Sequence, residues 1–344
     1  MKITKSLLLK TALTLVAVFS ILTFKTQIAQ ANDTGAEFSV NTLQNENQVD
    51  QNEPYFDLKL NPNQKTDLAV NVINDSDDEQ TFTVMANDAL TNSNLIIDYS
   101  PFKNSKKQLV NPKIGFSAIS SPSKQKVTVS AHSFKKVTIK VQAPSDKFDG
   151  TILGGIYVRK ELKSMVKNGY TNRFNFATAV VINRNGGKSV KIPDLKLNKA
   201  RFKSDDMNNQ VIASLQNSSN VYQTKLKTET KIYKQGNSSK PLVNQTNDDR
   251  SIAPNTKFDY TIPLDKAKVG NGKYILDLTI TNPKTGKVWH WKEPFEVSRT
   301  ESVKANPYVK TVKTIPFIYW VYAVLLLLIV ILLLVLIFKK KKNK

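Results

Sequence analysis

Asp67-Leu68-Ala69-Val70-Asn71-Val72 is the stretch on which the fold turns. Leu68, Val70 and Val72 fall on one side of an extended chain and Asp67, Ala69 and Asn71 on the other, the period of two that a half-buried β-strand requires. Val137-Thr138-Ile139-Lys140-Val141-Gln142 repeats the pattern, and Pro144 closes it. Working outward, Tyr55 to Leu60 runs into the turn Asn61-Pro62-Asn63, and the polar cluster Asn74 to Glu79 follows the first strand. Phe82 and Val84 continue the alternation, Leu95-Ile96-Ile97 is a further short run, and Val127 and Val129 lead through Ala131 to Phe134 into the Val137 strand. Short two-faced strands at this spacing, with no amphipathic helix among them, predict an antiparallel sandwich of immunoglobulin-like type over residues 32–158. The acids of Asp75 to Glu79 lack calcium-ligand spacing and read as a solvated turn.

Phe148-Asp149-Gly150-Thr151-Ile152-Leu153-Gly154-Gly155-Ile156-Tyr157-Val158 is the most distinctive run of the first half. Glycine weakens an ordinary strand interior, so three of them around an apolar strand imply bends or the close approach of another backbone. Gly150, Gly154, Gly155 and Tyr157 are therefore candidate partner-binding positions. Gly154-Gly155 has neither a Lys-Ser/Thr pair nor a following helix, which removes the phosphate-loop reading. Residues 159–173 are charged and weakly patterned and read as a connector. Strands then resume over 174–300: Phe176 to Ile182, then Val211, Ala213 and Leu215, then Tyr274, Leu276, Leu278 and Ile280 after Gly270-Asn271-Gly272. This is a second sandwich. The turn from Asn282 to Gly286 enters Val288-Trp289-His290-Trp291, where Trp289 and Trp291 share one face and His290 takes the other. The tryptophans form either an aromatic platform for a sugar ring or partner protein, or part of the core; with His290 they are candidate binding residues.

Both ends carry targeting signals. Lys2, Lys5 and Lys10 precede the apolar run Thr11 to Phe24, and Ala29-Gln30-Ala31 supplies the small residues a signal peptidase needs, so 1–31 is expected to be a signal peptide. Ile315 to Phe338 contains no charge and is long enough for a hydrocarbon core of about 30 Å. A transmembrane helix is expected over 315–338, with Tyr319, Trp320 and Tyr322 at the headgroup level. Lys339, Lys340, Lys341 and Lys342, in the tail 339–344, mark the cytoplasmic side. Residues 301–314 have little periodicity and are expected to form a short irregular stalk. The expected topology is a single-pass membrane protein with its N-terminus outside.

Charge is distributed unevenly. Of a net +22, residues 32–160 hold 14 basic and 15 acidic side chains, whereas 161–314 hold 27 and 13. The basic half should favour teichoic acid, anionic lipid or an acidic protein face, and export argues against nucleic acid. Cysteine is absent and His132 and His290 are the two histidines, which argues against thiol catalysis and a cysteine or multi-histidine zinc site. A cysteine-free exported chain fits a Gram-positive surface. No serine, histidine or carboxylate pair falls in a nucleophile or acid/base motif, so the expected function is binding without a cofactor or enzymatic activity.

The chain resembles the WxL-interacting proteins of Gram-positive bacteria. The first half is similar to their peptidoglycan-binding domain through Tyr55-Phe56-Asp57-Leu58, Val72-Ile73-Asn74, Phe148-Asp149-Gly150 and Ile152-Leu153-Gly154-Gly155-Ile156. The second is similar to their host-binding domain through Leu215-Gln216-Asn217, Ile252-Ala253-Pro254-Asn255-Thr256, Gly272-Lys273-Tyr274 and Trp289 to Phe295. The resemblance implies a scaffold that engages WxL-domain proteins and peptidoglycan; the alternative it implies is an adhesin for host matrix protein or carbohydrate. No Trp-x-Leu and no Leu-Pro-x-Thr-Gly occurs, so the chain is not itself a WxL protein and sortase anchoring is not indicated.

Overall fold

The computed structural model describes residues 36–145, 150–162, 173–183, 195–205, 208–237, 240–264 and 269–305. The first half contributes β1 (Phe38–Thr42), β2 (Phe56–Lys59), β3 (Lys65–Asn74), β4 (Gln80–Asp88), β5 (Leu90–Thr91), β6 (Ile97–Asp98), β7 (Ser120–Ser121), β8 (Lys124–Val129), β9 (Ser133–Gln142), β10 (Thr151–Lys160) and β11 (Asn175–Asn183). Two short helices, α1 (Ser105–Gln108) and α2 (Phe116–Ile119), interrupt them. The alternation of β3 and β9 sets their registers: Leu68, Val70 and Val72 are fully buried and lie opposite Ile139, Val137 and Lys135. The strands form a four-stranded sheet, β1-β3-β9-β7, and a five-stranded sheet, β2-β11-β10-β4-β8. Phe38 of one sheet meets Phe82 of the other with ring centroids 4.9 Å apart.

The second half holds β12 (Leu195–Asp205), β13 (Asn208–Asn217), β14 (Gln223–Lys234), β15 (Val243–Ile252), β16 (Thr256–Pro263), β17 (Gly272–Asn282), β18 (Lys287–Val297) and the helix α3 (Arg299–Ala305). They form a three-stranded sheet, β12-β13-β16, and a four-stranded one, β15-β14-β17-β18. Val211, Ala213 and Leu215 of one sheet and Leu276, Leu278 and Ile280 of the other are buried in one cluster, as their period of two requires.

Three expectations are corrected. Residues 174–300 do not form one sandwich: β11 pairs antiparallel with β10 from Thr151↔Asn183 to Arg159↔Asn175, and parallel with β2 from Val180 to Asn183. Val180 and Ile182 point into the first core while Val181 is covered on the outer face, so β11 is a central strand buried on both sides over its second half. A continuous apolar run tells that a strand is interior but not to which sheet it belongs. The connector therefore does not begin at 159. Arg159 and Lys160 end β10, and the Glu161 carboxylate accepts from Thr83 Oγ1 at 2.6 Å and from Arg159 at 3.0 Å, bonds that hold its pKa down. Nor is the stalk irregular throughout, since α3 runs to Ala305, with Glu301 Oε2 accepting from the Ser298 backbone N–H at 2.9 Å. The segments expected as signal peptide (1–31), transmembrane helix and tail lie outside the described residues, as do Tyr319, Trp320, Tyr322 and Lys339 to Lys342. Among the described residues no helix is long and apolar enough to cross a membrane.

Candidate functional site

The glycines of β10 are explained from within the chain. Asp88, buried on β4, accepts from the Ser117 N–H at 2.9 Å and the Ser117 hydroxyl at 2.6 Å, and this fixes α2 so that Phe116 lies against Gly154. A Cβ at Gly154 would collide with that ring. On the opposite face Tyr99 covers Gly155, where an added Cβ would come within 2.9 Å of the Tyr99 side chain. Gly150 has φ +101° and lies against the Asn220 backbone of the second sandwich, whose carbonyl accepts from Thr151 N–H at 2.7 Å. All three positions are close approaches, as glycine in a strand suggests. The approaching groups belong to this protein.

Tyr157 shares the Gly155 face of β10 and is buried. Around it the structure assembles tyrosines that sequence reasoning did not single out. Tyr55 and Tyr99 pack on Leu153, Val181 and Ala253, and Tyr222 stands beside them, 37% exposed. Burial, then the neighbouring Tyr222 and Tyr55, push the Tyr99 phenol up to about 12. Burial likewise raises Tyr55, Tyr222 and Tyr157. A face of half-covered phenol rings beside Asp57 and Asn183, which bond at 2.9 Å, can stack on and hydrogen-bond to a sugar. Gly155 and Tyr157 belong to this face; Gly154 lies beneath it and Gly150 at its end. No local spacing announces it, because its residues come from β2 and the residue before it, β10, the end of β11, the segment after β6 and the loop after β13.

The two sandwiches meet in an extensive seam beside this face. Leu95, in a turn with φ +55°, is fully buried within the second sandwich's core, and its carbonyl accepts from Ser251 N–H at 2.7 Å. Ile97 N–H donates to Ser251 Oγ at 2.8 Å, and Ala253 N–H to Thr91 Oγ1 at 2.9 Å. Asn255, itself at φ +56°, accepts from Asn111 N–H on Oδ1 at 2.7 Å and donates from Nδ2 to the Asn111 carbonyl at 2.8 Å. Ile252 to Thr256, a run that carries the family resemblance, is thus the second sandwich's side of the joint.

Trp289 and Trp291 lie opposite Ile280 and Leu278, and both face the core; Trp289 is buried and Trp291 packs against the core with part of its ring exposed. Of the two open readings, core packing is the one realised. His290 points outward, with Nε2 2.8 Å from Asp277 Oδ1. On the other sheet Arg201 donates to Ser214 Oγ at 2.9 Å and to Asp259 Oδ2 at 2.7 Å, and Ser214 Oγ donates to Asp259 Oδ1 at 2.6 Å. Burial alone would raise the Asp259 carboxyl, but the bonds from Arg201 and Ser214 outweigh it and hold the group below the usual range. No histidine joins the trio, which acts as a clamp across three strands. Among the described residues no group of three or more His, Cys, Asp or Glu is arranged to hold a metal.

Two family models match the chain. The one described as WxL Interacting Protein, peptidoglycan binding domain, matches residues 38–160, and the one described as WxL Interacting Protein, host binding domain, matches residues 167–307. The gap between them falls before β11, so the second model takes in β11, which the sheet pairing gives to the first sandwich. No curated protein matches. Among solved structures, a protein of unknown function from Porphyromonas gingivalis W83 is 9% identical, with 76% of this chain and 100% of that chain covered at a TM-score of 0.24. A chain of the chaperone-tip adhesin complex of CFA/I fimbriae biogenesis is 14% identical over 74% and 98%, at 0.30, and the E. coli chaperone DraB 12% over 76% and 97%, at 0.27. Likeness at these scores supports no reading of the site.

Proposed function

This chain belongs to the WxL-interacting protein family, and from that premise we propose that it is a non-enzymatic scaffold at a Gram-positive cell surface, engaging WxL-domain proteins and peptidoglycan. The observation that carries the proposal is the pair of family models over 38–160 and 167–307. In this reading 1–31 direct export and 315–338 anchor the chain in the membrane with the lysine tail inside. The immunoglobulin-like sandwiches stand outward from the bilayer, the near-neutral first one toward peptidoglycan. The tyrosine face around Gly155 is the surface best suited to a glycan, because it offers rings and amides with little net charge. The seam adds a mechanical argument. A tether between membrane and wall transmits position only if its modules do not swivel, and the buried Leu95 and Asn255 contacts suit that role.

The test is capture of WxL-domain proteins from a Gram-positive wall extract by the full chain, with purified peptidoglycan as a second bait. Capture of both is expected, with peptidoglycan capture weakened by up to about tenfold by Tyr222→Ala, the stacking contribution expected of an exposed ring. Failure to capture any WxL protein by folded protein overturns the scaffold reading. A second reading follows from the description of the second family model: an adhesin whose second sandwich binds host matrix protein or carbohydrate. Matrix binding that needs no WxL protein favours it.

A further inference from the structure

The solvent face of β12 is a ladder of cations. Lys199, Arg201 and Lys203 are exposed and alternate with Ala200 and Phe202, which turn toward the core. Alternate residues of a strand lie about 6.7 Å apart, so the face offers positive charge at a regular pitch. Lys257 of β16 joins it across β13 through the register Lys196, Gln216, Lys257. Among the side chains described on this face the carboxylate is Asp259, whose charge Arg201 offsets, so the lysines carry the net positive charge of the face.

The ladder leads into a groove. A cavity of about 530 Å³ lies between this sheet and the excursion of the first sandwich that follows β5. Lys107 lines it from the first sandwich and Lys257 from the second, with Asn92, Asn198 and Phe102 beside them and the Arg201-paired Asp259 in the wall. Asn198 arrives there by a β-bulge. Leu197 pairs with Leu215 and Lys199 with Ser214, which leaves Asn198 as an extra residue aimed out of the ladder. Bulges re-aim side chains in this way beside binding sites.

Two lysines lining one groove from different sandwiches suit a phosphate, side-chain amides suit hydroxyls, and an aromatic side chain suits the C–H side of a polyol or sugar. A ladder of cations extends the match to a chain whose charges repeat. The geometry points to a binding site for a linear phosphodiester-linked polyol or sugar polymer, a wall polymer of the teichoic-acid class. One phosphate sits between Lys107 and Lys257, and the following ones run along the lysines of β12, past the Arg201–Asp259 pair. The inference deepens the cell-surface reading and rests on it. Because both sandwiches supply the groove, the polymer is gripped at the seam.

The test uses the full chain and a fluorescent synthetic glycerol-phosphate oligomer, followed by anisotropy across a salt series. Binding is expected to weaken linearly in log–log form with salt. Lys107→Ala with Lys257→Ala should cost at least about tenfold in affinity and flatten the slope by about one to two units. Phe102→Ala should weaken binding without changing the slope. Lys231→Ala with Lys234→Ala removes the same charge from β14 in the other sheet and should leave affinity within about twofold. Equal losses from both lysine pairs would overturn the site in favour of diffuse attraction. So would vesicles of anionic phospholipid or duplex DNA binding as tightly as the oligomer. Capture of a WxL-domain protein separates this proposal from the wider one: such capture without oligomer binding removes the groove and leaves the scaffold standing, whereas loss of both removes both.

Discussion

Tyr99 condenses the first sandwich's outer face into one side chain. It closes over Gly155, leans on Leu153 and Val181, and shares its surroundings with Tyr55 and Tyr222. Its phenol ionises near pH 10 in the unfolded chain and at about 12 in the folded one, with burial the larger cause. The neutral form is therefore favoured by folding. The stabilisation is complete below pH 10 and is lost as pH rises toward 12, because the unfolded chain gives up its proton first. The urea midpoint of the full chain should fall over that window, and Tyr99→Phe should flatten the fall while leaving the midpoint at pH 7 nearly unchanged. An equally steep fall in Tyr99→Phe would place the titrating group elsewhere. The same position explains why an added methyl at Gly155 is the milder of the two glycine changes. It meets a half-covered ring that can shift, whereas one at Gly154 meets Phe116, fully buried beside the Asp88 clamp. Overpacking of that kind costs about 1–3 kcal/mol.

At the scale of elements, β11 decides what can be cut from what. Val180 and Ile182 are fully buried in the first core, and β10 loses its neighbour along nine residue pairs if β11 is removed. Truncating one such aliphatic side chain costs about 2–5 kcal/mol, against a domain stability of about 5–15 kcal/mol. A fragment 38–160, the extent of the first family model, should therefore show no cooperative urea transition by far-ultraviolet dichroism; extension to 183 should restore one. A sharp transition in 38–160 would show that β11 is an accessory strand. The alternation of Leu68, Val70 and Val72 and of Tyr274 to Ile280 made the strands and their faces legible, because inside and outside follow from a period of two. Partner choice is a different kind of information. Nothing in Phe176 to Ile182 distinguishes pairing with β10 from pairing with β12, and nothing in Leu95-Ile96-Ile97 tells that Leu95 serves the other sandwich's core. The glycines of β10 signalled a close approach, but Tyr99 and Phe116 come from more than thirty residues upstream and left no mark in the local pattern.

For the molecule as a whole, the seam should make the two sandwiches unfold as one cooperative body. Leu95 holds a backbone conformation that a bulky residue rarely adopts, at φ +55°, and keeps it because its side chain is fully buried in the second core and its carbonyl is bonded to Ser251. Asn255 supplies the reciprocal lock, two hydrogen bonds to Asn111 from a buried amide. Breaking either lock should weaken the joint more than either sandwich. Leu95→Ala removes a buried side chain, at about 2–5 kcal/mol, and Asn255→Gly keeps the positive φ accessible while deleting both side-chain bonds, at about 1–3 kcal/mol. The tryptophans allow the two halves to be watched separately. Trp289 and Trp291 lie in the second sandwich and the first has none, so with Trp320→Phe as background the fluorescence reports the second half while dichroism reports both. In the parent chain the two probes should share one urea midpoint. In Leu95→Ala and in Asn255→Gly they should separate, since each half then unfolds at its own stability. Coincident transitions in both variants would mean that the seam is held by contacts other than these two. Separate transitions already in the parent would mean that the sandwiches are independent and that the tether bends at the seam.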